Sequence, residues 1–226
     1  MLLDHIAFVF SSFFNNYSWG QVLIFIFRTL GRITAPLMCW FLVQGFVHTS
    51  SRKKYALRLL IFALAAQAPY MLVRPEVHLF AGLNVIYTLL ISFLMLCVLE
   101  SKVQSLPKCL IIICLLALSM LGDWALFAPL MVLVFYFLRE RRRLLILFYS
   151  LAAFAVVLTD VIFLYLNHYY WYHELWQLGM FLFIPLLLLY NGQPGSRHPF
   201  HKWFFYAFYP LHLLVLYLIA RVCLPV

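Results

Sequence analysis

Arg28 and Arg32 stand four residues apart inside an apolar run long enough to cross a bilayer. That spacing puts both guanidinium groups on one face of a helix. Each costs about 2.5 kcal/mol or more in hydrocarbon, so such residues face a protein interior or a wet cavity. There they could stabilise a developing oxyanion, position a polar substrate or compensate a buried acid. Gly31 thins the neighbouring face, and Pro36 one turn later is expected to kink the helix and free a carbonyl. Near the start of the chain stands Asp4-His5. The histidine is a candidate general base, transient acyl acceptor or proton shuttle, and an adjacent acid can orient such a ring. Adjacent helical residues point about 100° apart, however, so Asp4 need not be the partner of His5. A polar cap on a short helix is the competing explanation.

Other polar residues interrupt apolar segments. Asn84 and Thr88 share a helical face and either bind a ligand or hold two helices together. Asp123 lies between Gly122 and Trp124, at the junction of two short apolar stretches. Asp160 is a conceivable ion-pair partner for one of the arginines. His168, His173 and Glu174 fit no zinc spacing and fall in an outer loop read as an interfacial aromatic belt. Tyr209 and His212 share a face beside Pro210, and His212 lies about 14 Å into its helix. It is either functional or hydrogen-bonded between helices. The five cysteines form no CxxC pair and read as small buried hydrophobes, so no metal site is expected.

The elements that must position these residues are membrane helices. The 226-residue chain is 66% hydrophobic and only 10% charged, with a mean hydropathy of +0.99. A soluble domain would carry roughly 25% charged residues. The expected fold is therefore an all-α polytopic membrane protein, a single integral domain over residues 1–226. Nine spans are expected: Met1–Phe14, Val22–Val47, Tyr55–Val73, Leu79–Leu99, Cys109–Leu121, Ala125–Leu138, Leu144–Leu166, Leu175–Tyr190 and Trp203–Cys223. The formal charge of +9 reports topology before partners. Basic residues fall on every second loop: Arg52–Lys54, then Lys102 and Lys108, then Arg139 with Arg141–Arg143, then Arg197 and Lys202. That alternation implies nine crossings with the amino terminus cytoplasmic. It also disfavours nucleic-acid binding, because the cations are scattered among short loops. The first span and the Cys109–Leu121 and Ala125–Leu138 pair are short, so that pair is either two thin spans or a re-entrant hairpin.

Taken in order, the motifs resemble the TraX family of conjugative-pilus proteins and the fimbrial accessory proteins related to it. They are DHI, R-x-x-x-R-I-x-x-P followed by GFVHT, Y-x-x-R-L-x-x-F-A, N-x-x-x-T-L, GD, YNG and FFYAFYPLHL. The match is collinear over nearly the whole chain. The resemblance implies an inner-membrane acyltransferase that acetylates the amino terminus of pilin, or another envelope acceptor, with acetyl-CoA as donor. It implies catalytic roles for His5, Asp4 and Asp123. It implies substrate or donor binding by Arg28, Arg32, His48, Asn84, Asn191 and His212. Family members carry further residues before Asp-His. Either the true start lies upstream of Met1 or the first helix is trimmed.

Three functions follow for testing. An acyltransferase would hold the donor phosphates on Arg52, Lys53, Lys54 and Arg58 and use His5 as base. A transporter or flippase would line an anion path with the arginines and His212, helped by helix breaks at Pro36, Gly122 and Pro210. A non-catalytic assembly factor would bind pilin through its helices.

Overall fold

A computed structural model describes residues 1–77, 82–193 and 199–223. Among the described residues every regular element is helical, apart from one isolated parallel bridge between Leu83 and Gly122. The chain divides into two compact units. The start of the expected Leu79–Leu99 segment and the loop cation Arg197 lie outside the described residues.

The first unit begins with α1 (Leu2–Val9) and a single turn, α2 (Ser11–Phe14), before α3 (Gly20–Gly31). The helix gives way at Arg32-Ile33 and resumes as α4 (Thr34–His48). Pro36 explains the break, because it has no N–H for the Arg32 carbonyl and its ring crowds that oxygen. The Arg32 amide closes the last turn of α3 on the carbonyls of Arg28 and Thr29, at 3.1 and 3.3 Å. The same unit holds α9 (Arg142–Leu166), a 3-10 helix η1 (Trp171–Leu182) and α10 (Phe183–Leu189). Helix α1 packs on α3, and η1 packs on both α3 and α9. Two close contacts seat η1. A Cβ on Gly179 would lie 1.9 Å from the Thr29 carbonyl oxygen, so only glycine allows that approach. On the other side the buried Tyr149 hydroxyl donates to the Met180 carbonyl at 2.6 Å.

The second unit comprises most of α4, then α5 (Arg52–Val73), α6 (Val85–Leu99), α7 (Ser105–Ser119), α8 (Phe127–Leu138) and most of α11 (Pro199–Cys223). Its core is aromatic: Phe46 packs edge-on to Phe93 and Tyr136, at 5.4 and 5.8 Å between ring centroids. Ser51 caps α5 by accepting from the Lys54 amide at 3.4 Å.

Five helical stretches are long and apolar enough to cross a membrane: Gly20–His48, Arg52–Val73, Arg142–Leu166, Tyr172–Leu189 and Trp203–Cys223. Shorter apolar helices occupy Val85–Leu99, Ser105–Ser119 and Phe127–Leu138. The expectation of nine full spans is therefore not met by length. Each expected segment contains helix, but α8 has 12 residues, about 18 Å at 1.5 Å per residue, against a hydrocarbon core of roughly 30 Å. The first segment falls shorter still, because Phe10 interrupts the helix after the 8 residues of α1.

Candidate functional site

The first unit gathers the arginine pair and three acids around one tryptophan. Arg32 Nη2 donates to Asp4 Oδ1 at 3.0 Å, and Arg28 Nε lies 3.9 Å from the same oxygen. Asp4 reaches between them because Gly31 leaves room: a Cβ there would lie 2.4 Å from the Asp4 Cβ. Both guanidinium carbons also lie over the ring of Trp176, Arg28 at 4.1 Å and Arg32 at 4.3 Å from its centroid. Trp176 is buried. A cation over an indole face is attracted by the ring quadrupole, and more strongly where water is excluded. Glu174 lies within electrostatic range of Arg28, Asp160 and Arg32, and Asp160 within range of Arg32. Gln177 Nε2 donates to Asp160 Oδ2 at 2.9 Å, which leaves the buried Gln177 Oε1 without a partner. Two cations and three carboxylates thus share one partly buried volume. Such an arrangement can orient a polar substrate and stabilise charge as it develops.

Asp4 is consequently engaged by the arginines. The conceivable partnership of Asp160 with an arginine takes the form of electrostatic proximity to Arg32. Glu174 belongs to η1 and the arginine group, rather than to an outer aromatic loop. Its neighbours Tyr169, Tyr170 and Tyr172 are exposed.

The three candidate histidines share one device. The Nδ1 of His5 lies 3.0 Å from the Met1 carbonyl, that of His48 lies 2.9 Å from Gln44, and that of His212 lies 2.7 Å from Phe208. A carbonyl can only accept, so in each neutral ring the proton sits on Nδ1 and the lone pair on Nε2. The contact in every case is to the residue four positions back. His5 follows Asp4 on α1. His48 is exposed at the end of α4. His212 is buried in the second unit, stacked 4.9 Å from Phe208 and edge-on to Tyr209.

Asn84 and Asp123 also lie in the second unit, in a clasp between chain segments. Asn84 Oδ1 accepts from the Ile86 and Tyr87 amides, capping α6, and its Nδ2 donates to the Ala63 carbonyl and Gln67 Oε1, both at 2.7 Å. Its whole hydrogen-bonding capacity serves the fold. Asp123 sits in the α7–α8 turn: its amide donates to the Leu83 carbonyl at 2.7 Å, and its carbonyl accepts from Thr88 Oγ1 at 2.6 Å. Trp124 beside it adopts a φ of 58°, an uncommon conformation for a bulky side chain. The turn thereby delivers Asp123 within electrostatic range of Tyr70, Arg74 and Tyr209. Arg74, beyond the end of α5, donates to the Tyr70 hydroxyl at 3.2 Å and pairs with Glu76 at 3.6 Å. Burial pulls the Arg74 pKa down, but Tyr70, Asp123 and Glu76 outweigh it and hold the guanidinium above its ordinary value. Asn191 is exposed, and its Oδ1 accepts from the Gln193 amide at 3.0 Å.

Trp176, Gln177 and the Tyr70–Arg74 pair are the residues that sequence reasoning missed. The first two fall on a 3-10 helix, where positions three apart eclipse. No local pattern in that stretch selects this winding, so neither residue left a signal in the sequence.

No solved structure matches the chain. The chain is 30% identical over 225 residues to a protein of Dichelobacter nodosus described as a probable fimbrial assembly protein, FimC of serogroup H1. That alignment covers 96% of this chain and 89% of the relative. The family described as TraX protein matches residues 1–220. A full-length family match on an all-helical, membrane-type chain establishes that this protein belongs to the TraX family.

Proposed function

We propose that this protein is a membrane-bound acyltransferase of pilus or fimbria biogenesis, acting in the inner membrane. It moves an acetyl group from acetyl-CoA to the amino terminus of pilin or to another envelope acceptor. The observation that carries the reading is the partly buried arginine pair held by Asp4 and Trp176, with His5 next to Asp4 on α1. In this scheme His5 Nε2 removes the proton from the attacking amine or hydroxyl as the new bond to the acetyl carbon forms. The carbon–sulfur bond breaks, and the leaving thiolate takes a proton in turn. Arg28 and Arg32 balance the oxyanion that develops between those events.

The start of α5 suits the phosphates of the donor. Arg52, Lys53 and Lys54 put three cations in a first turn whose backbone N–H groups already favour anions. Arg58, one turn on, lies over the Tyr55 ring, and its buried Nε has no partner. When bound, the donor supplies an activated acetyl thioester. We further infer that the loops carrying Arg52–Lys54, Lys102 with Lys108, and Arg139 with Arg141–Arg143 face the cytoplasm, on the strength of the alternation of basic loops.

The deciding experiment incubates purified protein with radiolabelled acetyl-CoA and a membrane extract of the source cell, comparing wild type with His5→Ala. Label on a protein band or lipid, lost in the folded variant, is the expected result. Wild-type protein that binds neither acetyl-CoA nor CoA and transfers nothing would overturn the reading. The relative in D. nodosus, described as a probable fimbrial assembly protein, favours a second reading, a non-catalytic assembly factor. In that case His5→Ala would support fimbriation as well as wild type does.

A further inference from the structure

Nothing in the family match or in the proposed chemistry accounts for η1. It runs for 12 residues as a 3-10 helix, whereas runs beyond about four are uncommon and often mark strain or a hinge. Its hydrogen-bond geometry is poorer than that of an α-helix, so contacts must hold it in this form. On the α3 side those contacts are the Gly179 seat on Thr29 and the Trp176 face beneath the arginines. On the α9 side they are the bonds from Gln177 to Asp160 and from Tyr149 to Met180.

The register explains why Trp176 lands where it does. With three residues per turn, Trp176 eclipses Gly179, so seating the glycine on Thr29 aims the indole at Arg28 and Arg32. Wound as an α-helix, the same three-residue step would fall about 60° short of a full turn and carry the indole off the pair. Like charges four apart on a helix repel. Asp4 Oδ1 meets both arginines but grips Arg32 more closely, at 3.0 against 3.9 Å. The indole, by contrast, lies at nearly equal distance from the two.

We propose that Trp176 is a positioning residue: its indole face, fixed by the 3-10 register of η1, holds Arg28 and Arg32 together in the arrangement used for acyl transfer. The functional half of this inference rests on the acyltransferase reading; the geometric half does not.

The test uses the full chain in detergent micelles or nanodiscs, with Trp176→Leu, which keeps apolar bulk without a π face, and Trp176→Phe, which keeps a π face. Should the leucine variant not fold, Trp176→Met supplies flexible apolar bulk in its place. Two readouts are taken. The first is the Nε–H resonances of Arg28 and Arg32 in protein labelled with 15N-arginine, assigned through Arg28→Lys and Arg32→Lys. Ring-current shifts are expected in wild type, retained in part in the phenylalanine variant and absent in the leucine variant. The second is acetyl transfer. The leucine variant should lose at least tenfold in kcat with KM for acetyl-CoA within about twofold, and the phenylalanine variant should recover most of the loss. Equal kcat in the leucine, phenylalanine and wild-type proteins would overturn the proposal, as would arginine resonances that do not respond to residue 176. If wild type transfers no acetyl group, the acyltransferase reading fails separately. The resonances then decide alone whether Trp176 positions the pair.

Discussion

Asp4 carries a disproportionate share of the site, because it lies within ion-pair distance of both arginines. Replacing it with Asn keeps the shape and removes the charge that offsets two guanidinium groups. Asp4→Asn is expected to destabilise the folded protein by about 1 kcal/mol, the low end of the cost of stranding a polar partner, because the group is only partly buried. Thermal unfolding in detergent would show it as a lowered midpoint, and an unchanged midpoint would mean that Asp160 and Glu174 suffice as counterions. Gly31 is the matching steric requirement. A Cβ there would collide with the Asp4 Cβ at 2.4 Å, so Gly31→Ala should reproduce much of the Asp4→Asn loss. Combined, the two changes should be less than additive, since both act on one contact. The sequence showed the two arginines and the aspartate as separate chemistry-bearing residues. It gave no sign that Asp4 serves the arginines, because the 28-residue separation of Asp4 and Arg32 leaves no periodic trace.

Helix ends and helix seats do the positioning at the next scale up. Asn84 satisfies two amides at the start of α6 and fastens that start to α5 through Ala63 and Gln67. Asn84→Ala loses the cap, worth about 1 kcal/mol, together with both donated bonds. Asn84→Asp keeps the cap but turns a carboxylate oxygen onto the Ala63 carbonyl and Gln67 Oε1, two acceptors, in a buried position. The aspartate variant should cost at least as much as the alanine, and a smaller loss on unfolding in detergent would mean that the cap dominates. Gly179→Ala should be worse than either, since its Cβ would lie 1.9 Å from a backbone oxygen that cannot rotate away. We expect that variant to yield little folded protein, read as loss of the monodisperse peak in size-exclusion chromatography. Pro36 is the element-scale feature that was legible in advance, because proline acts on its own helix through one missing N–H. The 3-10 winding of η1 was not legible. Its stretch WYHELWQLGMFL carries no local rule that chooses 3.0 over 3.6 residues per turn, and the choice is made by contacts to α3 and α9.

For the whole molecule, the basic loops make a claim that labelling can check. In a cysteine-free background, Lys53→Cys and Arg141→Cys should react with a membrane-impermeant maleimide only from the cytoplasmic side. Gln21→Cys and Asn167→Cys should react only from the outside. Residues 21 and 53 labelling from the same side would rule out that alternation. The native cysteines must be removed first, because Cys109, Cys114 and Cys223 are exposed on the chain, contrary to the expectation that all five are buried.

The sequence by itself determined that this is a helical membrane protein, where its apolar segments fall and which polar residues interrupt them. Those features follow from the transfer free energy of each residue into hydrocarbon, a quantity that needs no partner. The motif order was enough to indicate the family. Only the tertiary structure decided which polar residues answer one another. It put Asp4, Asp160, Glu174 and Trp176 around the arginines, turned Asn84 to the fold, and gave Asp123 the company of Tyr70 and Arg74. The physical reason is that such pairings depend on close approach between segments distant in the chain. That approach is set by missing side chains at Gly31 and Gly179 and by the winding of η1, and none of these is encoded by the residues that meet.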